Sequence, residues 1–373
     1  MSEQPDVPID ELIARGLYDP DASDADYRLR VMGRVLRRGG TIDDIAENVH
    51  DLETLASRLQ LRNPRAARHT FREVAEAAGL SLDDARRANR ASGFPDPDPD
   101  ARIFDDEDVE MFIAFQIARS MFGEELMMQL SRVMGWAMSR VAEAMLSIFA
   151  SYAGERSQTE EMREEEFATA NEAAIGMLSG AVRVMDIMLR RQMEARARRE
   201  GEIALGAEWQ GLDTLDRAIG FCDLVGYTEL SERLSTTALA ELLERFEGTV
   251  ADVVVKHGGS VVKLIGDEVM FVVPSAGAAQ SIALELVETF GSDGLPDVRV
   301  GVASGRVILR EADYFGSVVN LAARIVKQAE PGCVLAPASF RGIATAGVEC
   351  VDAGAPMLKG FDEPVELVAL HRS

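Results

Sequence analysis

The stretch Ser260-Val-Val-Lys-Leu-Ile-Gly-Asp-Glu-Val-Met-Phe-Val-Val273 decides the fold of the second half of this chain. Two apolar runs flank Gly266-Asp267, the pattern of a β-hairpin with a tight polar turn. Asp267, taken alone, is ordinary turn chemistry. Lys263 stands inside an apolar run, where it is either an edge-protecting charge or a ligand contact. Upstream, Ala218 to Asp223 predicts a short strand and Thr228 to Lys256 a helix. Downstream, Ala276 to Phe290 predicts a helix and Val298 to Leu309 a strand pair interrupted by Gly305. Ser317 to Gln328 predicts a further helix, and short strands follow near Cys333 and Val365. This mixture predicts an α+β or α/β sheet with helices on one side.

Three more segments carry candidate chemistry. Phe221-Cys-Asp-Leu-Val-Gly-Tyr-Thr228 puts an acid at a strand end, then a glycine and a helix start. Asp223 there either caps the helix or binds a hard cation. In the second case the N–H groups from Val225 through Gly226 and Tyr227 to Thr228 are placed to meet phosphate. Two acids from neighbouring strand ends, Asp223 and Asp267, are able to hold a pair of Mg²⁺ ions about 3.5–4 Å apart. Asp313-Tyr-Phe-Gly-Ser-Val-Val-Asn320-Leu-Ala-Ala-Arg324 sets Asn320 and Arg324 four apart, on one helix face, where both can address one phosphate. A solvated arginine is the plain alternative. Met357-Leu-Lys-Gly-Phe361 offers Lys359 beside a flexible glycine, either as a ligand contact or as a surface lysine.

Together these segments resemble the class III nucleotidyl cyclase catalytic domain over residues 215–373. FCDLVGYT, VVKLIGDEVMFV, RVGVASGRV and DYFGSVVNLAARI occur in that family's order. The resemblance implies an α+β fold with a ferredoxin-like βαββαβ core and an active site at a head-to-tail homodimer interface. It implies ATP as substrate and two divalent cations, Mg²⁺ or Mn²⁺, as cofactors. Asp223 and Asp267 match the family's metal-binding acids, with the main-chain carbonyl of Leu224 beside them. Lys263 and Asp313 match the base-selecting pair, and Asn320 and Arg324 the transition-state stabilisers. Gly226, Tyr227, Thr228 and Lys359 match substrate contacts. The family places the two acids on one subunit and the other four residues on its partner. A lysine donor and a carboxylate acceptor complement adenine N1 and N6, whereas guanine reverses both edges. Three other readings compete: a guanylate cyclase, a diguanylate cyclase and an inactive nucleotide sensor. Against the diguanylate cyclase, Ile265 stands where that family needs a second glycine.

The remainder of the chain bounds the setting. Its 373 residues suggest two or three domains. A formal charge of −24 opposes nucleic-acid and anionic-membrane partners. The most apolar run, Trp136 to Tyr152, is broken by Arg140 and Glu143, so no membrane span is expected. The acidic N-terminus lacks a signal-peptide core, and three scattered cysteines show neither metal nor disulfide spacing, which together predict a cytoplasmic protein.

Residues 1–200 are expected to form an all-helical regulatory domain, joined by a 201–214 linker to the catalytic domain. Thr70 to Phe94 has helix–turn–helix texture, with Ser81 as an N-cap. From Thr70 to Glu110, however, five arginines face twelve acids, which argues against DNA. Long helices over 105–200 carry twelve of the sixteen methionines. Core and dimer packing, an adaptable pocket for a small apolar effector, and a repacking interface remain open for them. A helical domain ahead of a single cyclase domain, with IARGLYDPDASDADYRLRVM near its start, resembles actinobacterial cyclases, some of them acid-responsive. Only His50 and His69 lie in this half, so an acid switch would draw on Glu160, Glu161, Glu164, Glu165 and Glu166.

Overall fold

The computed structural model describes residues 7–157, 180–198 and 214–373, apart from residues 23, 38, 51, 53–54, 57–58, 60–66, 293–294 and 344; residues 149–157 are described by backbone only. The expected acid switch at Glu160 to Glu166 and the 201–213 part of the expected linker lie outside these residues. The chain divides into two compact units, Met1–Trp209 and Gln210–Ser373.

The first unit is helical, with one addition. Helices Ile9–Ala14, Ala25–Arg37 and Ile42–Glu47 bury Leu12, Met32, Val35 and Ile45 together. The helix–turn–helix follows as Phe71–Ala77 and Leu82–Ala91, and the Ser81 side chain accepts from the N–H of Asp84, the cap that the sequence implies. The addition is a two-stranded sheet, β1 (His69–Thr70) against β2 (Arg102–Phe104). Its cause is the proline loop. Asn89, itself buried, donates to the Pro95 carbonyl at 2.8 Å and folds the loop back, and Phe104 lands 5.3 Å from Phe71. A capping box at Asp105 then starts the helix Asp106–Phe122, and Gly123, at φ +89°, separates it from the 34-residue helix Glu124–Ser157. Within this unit Met127 and Met128 are buried, whereas Met121, Met134 and Met138 are exposed.

The second unit is built on β3 (Thr214–Leu224), β4 (Ser260–Ile265), β5 (Glu268–Val273), β6 (Val298–Arg310), β7 (Asp313–Phe315), β8 (Val334–Pro337), β9 (Val348–Asp352) and β10 (Leu367–Arg372). The sheet order is β4-β5-β3-β6-β8-β10-β9, with β7 paired to β6. Strands β4, β5, β3 and β6 run antiparallel, and with the helices Thr236–Lys256 and Ala276–Ser292 they make the βαββαβ core.

Alternation along the strands sorts side chains to two faces. Ala218, Cys222, Leu224, Phe271 and Val300 meet Phe246, Ile282 and Phe290 of the two long helices. Fully burying an aromatic or aliphatic side chain of this size contributes roughly 1.5–3 kcal/mol. Ile219, Phe221, Met270, Ala303 and Tyr314 instead meet Ala322 and Val326 of the helix Ser317–Ile325 and the turn after it.

Helices therefore cover both faces, which corrects the expectation of one. Glycine explains the second layer. A Cβ on Gly301 would overlap the main chain of Val326, so the missing side chain lets that turn lie directly on β6. Two further expectations change. Val298–Arg310 is one continuous strand, since Gly305 takes φ +149° and keeps the strand running where a break was expected. The helix expected from Thr228 to Lys256 is two helices, Tyr227–Arg233 and Thr236–Lys256, because Ser235 caps the second by accepting from the N–H of Ala238.

Candidate active site

Asp223 sits near the end of β3, and its side chain points to the face covered by the helix Ser317–Ile325. Its residue is 3% exposed. Both carboxylate oxygens are engaged. Arg299 Nε donates to Oδ2 at 2.6 Å, and Lys327 Nζ donates to Oδ1 at 2.9 Å. Taking a carboxylate out of water costs free energy, and such partners offset it.

Asp267 lies on the β4–β5 turn directly beside this point. Its carbonyl accepts the N–H of Leu224 at 3.0 Å, while Glu268 pairs in register with Asp223. Lys327 also approaches Glu268 Oε2 at 3.3 Å. Burial pushes the Glu268 carboxyl up from its ordinary range, with the nearby Asp223 and Asp267 adding to it, and this outweighs the pull of Lys327. Burial works against the Lys327 charge, but the hydrogen bond to Asp223 and the Glu268 carboxylate hold its ammonium above the ordinary lysine range. Burial likewise keeps the Cys222 thiol protonated, so it is a core side chain and no nucleophile.

Lys263 and Asp313 meet although fifty positions separate them. Lys263 Nζ lies 2.5 Å from Asp313 Oδ2, while Asp313 Oδ1 accepts the N–H of Tyr314 at 2.8 Å. The β6–β7 pairing brings Asp313 there, and a bulge between Val261 and Lys263 turns the lysine to the same sheet face. Each partner keeps spare capacity, because an ammonium has three donors and a carboxylate about four acceptor sites.

Asn320 and Arg324 stand on the exposed side of their helix, whereas Ala322 and Ile325 are buried. Lys359 is exposed next to buried Leu358. The phosphate-facing turn needs one correction. Gly226, at φ +78°, starts a short helix, but the N–H of Val225 donates to the Asp297 carbonyl at 2.8 Å and is not free for phosphate. Thr228 is exposed, and Tyr227 packs against the core on the opposite face.

Comparison with known proteins decides the family. Residues 6–195 match a model described as adenylate cyclase regulatory domain, and residues 214–371 match adenylate and guanylate cyclase catalytic domain. An adenylate cyclase of Streptomyces coelicolor is 34% identical over 276 residues, covering 73% of this chain and 71% of the relative. The chain belongs to the adenylate cyclases. This cyclase is also 31% identical over 383 residues to the pH-sensitive adenylate cyclase MT1302 of Mycobacterium tuberculosis, covering 99% of this chain and 93% of that one. Among solved structures, the adenylyl cyclase CyaB of P. aeruginosa aligns with 43% of the chain and 95% of its own, at 24% identity and a TM-score of 0.38. No helix among the described residues is long and apolar enough to cross a membrane.

Cyclases of this family use divalent metal ions, and the residues present fit such ions. The two acids that the sequence suggests, Asp223 and Asp267, would offer oxygen donors only, and Glu268 Oε1, on the next residue, is buried without a hydrogen-bond partner. Hard cations prefer such a set. Among the described residues there is no group of three or more His, Cys, Asp or Glu that could hold a metal ion, so the two acids alone would leave an ion short of ligands. Phosphate oxygens of a bound nucleotide are the natural remaining ligands.

The sequence reading did not single out Arg299, Lys327 and Glu268. Arg299 carried a visible signal, a charge between two valines like Lys263 in its apolar run. Glu268 and Lys327 carried none, because their importance comes from contacts between distant segments.

Proposed function

We propose that this cyclase converts ATP to 3′,5′-cyclic AMP and pyrophosphate, with two divalent cations at Asp223 and Asp267. What supports the reading is the Lys263–Asp313 pair, a donor and an acceptor held side by side, the two kinds of group that the adenine edge requires. Lys263 donates to N1, and Asp313 accepts from the N6 amine. Asn320 orients the ribose so that its 3′-oxygen attacks the α-phosphorus in line. The bond from that phosphorus to pyrophosphate then breaks. Arg324 offsets the charge that develops on the phosphoryl oxygens. Divalent ions, when bound, favour loss of the 3′-hydroxyl proton and offset phosphate charge. Gly226 and Thr228, exposed at the start of their helix, and Lys359 serve the polyphosphate.

A head-to-tail homodimer completes the site. Leu264, Ile265 and Phe315 are 40%, 48% and 48% exposed beside Lys263 and Asp313, an apolar rim suited to a second copy. The N-terminal unit regulates this assembly, and acid is the proposed signal. Its support is the relative named pH-sensitive, which aligns along nearly the whole chain.

Product analysis by chromatography with ATP and with GTP tests the chemistry. Cyclic AMP from ATP is the expected result, and cyclic GMP as the main product would overturn the base assignment.

A further inference from the structure

Lys327 sits in the 3₁₀ turn Val326–Gln328 that follows the helix bearing Asn320 and Arg324. It reaches the Asp223 carboxylate across 104 positions and touches Glu268 as well. The two cations on Asp223 differ in kind. Arg299 is a planar fork rooted within β6, whereas Lys327 is a compact ammonium on a flexible stem, with a side chain 43% exposed. Of the two, the ammonium is the more exposed, 43% against 30% for the arginine, and as a point charge it loses less geometry on swinging away while its backbone stays in place. Its backbone is fixed, because the turn lies directly on Gly301.

The oxygen that Lys327 holds, Asp223 Oδ1, is one that a divalent ion would need. Arg299 already occupies the other. Glu268 offers the ammonium a second seat, with Oε2 at 3.3 Å and Oε1 buried and unpartnered. We propose that Lys327 is a tethered counter-cation that holds Asp223 until a divalent ion displaces it, and that Glu268 receives the displaced ammonium. This inference rests on the reading of Asp223 as a metal ligand. Lys327 is thus a positioning residue that sets how readily the acid accepts its ion.

The test is Mn²⁺ titration of the full-length protein without nucleotide, followed by the electron paramagnetic resonance signal of free Mn²⁺. Asp223→Ala identifies the ion bound at this site. Lys327→Met is expected to tighten that binding about tenfold, the worth of one hydrogen bond to a charged group. Glu268→Gln is expected to weaken it in the wild-type background. In the Lys327→Met background the same change should shift affinity less than about twofold, because its effect runs through the lysine. Lys327→Gln, also uncharged, serves if the methionine variant does not fold.

Unchanged or weaker Mn²⁺ binding in a folded Lys327 variant overturns the proposal. An equal effect of Glu268→Gln in both backgrounds removes the receiving role. Full retention of binding in Asp223→Ala would instead overturn the metal reading, and this inference with it.

Discussion

Lys263 and Asp313 stabilise the folded chain as an ion pair and are proposed to read a base, so each substitution should separate the two roles. Asp313→Ala should lower kcat/KM for ATP roughly ten- to hundredfold, the cost of removing one charged hydrogen bond. The ATP-to-GTP ratio should fall with it while the thermal midpoint drops only modestly, since the pair is partly buried and contributes on the order of 1 kcal/mol. Steady-state assays with both nucleotides read this directly. Away from the site, Glu285 lies 2.7 Å from both Lys256 Nζ and His257 Nε2, and these bonds hold its carboxyl below the ordinary 4.5. A depressed folded-state value stabilises the fold above the unfolded pKa, and this is lost as pH falls through the folded one. Urea unfolding of Glu285→Gln should therefore show a lower midpoint than wild type at neutral pH, and the gap should close as pH drops below 4.5. Sequence spoke clearly for residues whose type clashed with their surroundings, such as Lys263 among valines. It was silent on Lys327, an ordinary surface lysine until the fold carries it to a buried acid.

At the scale of elements, the hairpin and the βαββαβ order were legible because alternation and turn chemistry are local. Less legible were features set by two segments at once. The second helical layer depends on Gly301 meeting Val326, and the small sheet beside the helix–turn–helix depends on Asn89 holding the proline loop. Gly301→Ala should destabilise the catalytic unit by about 1–3 kcal/mol, as overpacking does. Because the turn it displaces continues the helix of Asn320 and Arg324, turnover should fall further than lost folded protein explains. Calorimetry and kcat per folded site, measured on one sample, check both statements. Ser235→Ala removes only a cap and should cost about 1 kcal/mol with kcat unchanged.

For the whole molecule, the proposed dimer makes a sharp demand on mixtures. Chains carrying Asp223→Ala and chains carrying Arg324→Ala should each be inactive, and a verified heterodimer should recover part of the activity at its one intact site. A silent heterodimer would sink the shared-site assignment. The acid-control proposal predicts that a chain beginning at Gln210 loses the pH response of the full-length protein, measured between roughly pH 5 and 8. Superimposable profiles would remove it. The paired arginines of the helix–turn–helix and of the small sheet beside it belong at this scale as well. Arg72 meets Asp100, Arg90 meets Asp96 and Arg102 meets Glu73, so these cations are already partnered within the unit.

The alternation of β3 and β6 has a practical corollary. Cys222 and Val300 pack against the two long helices, whereas Asp223 and Arg299, their immediate neighbours in the chain, face the layer where the chemistry is proposed. Adjacent codons thus answer to different demands. An engineer can randomise one set for heat tolerance and the other for substrate choice, and the two libraries should combine with little interference.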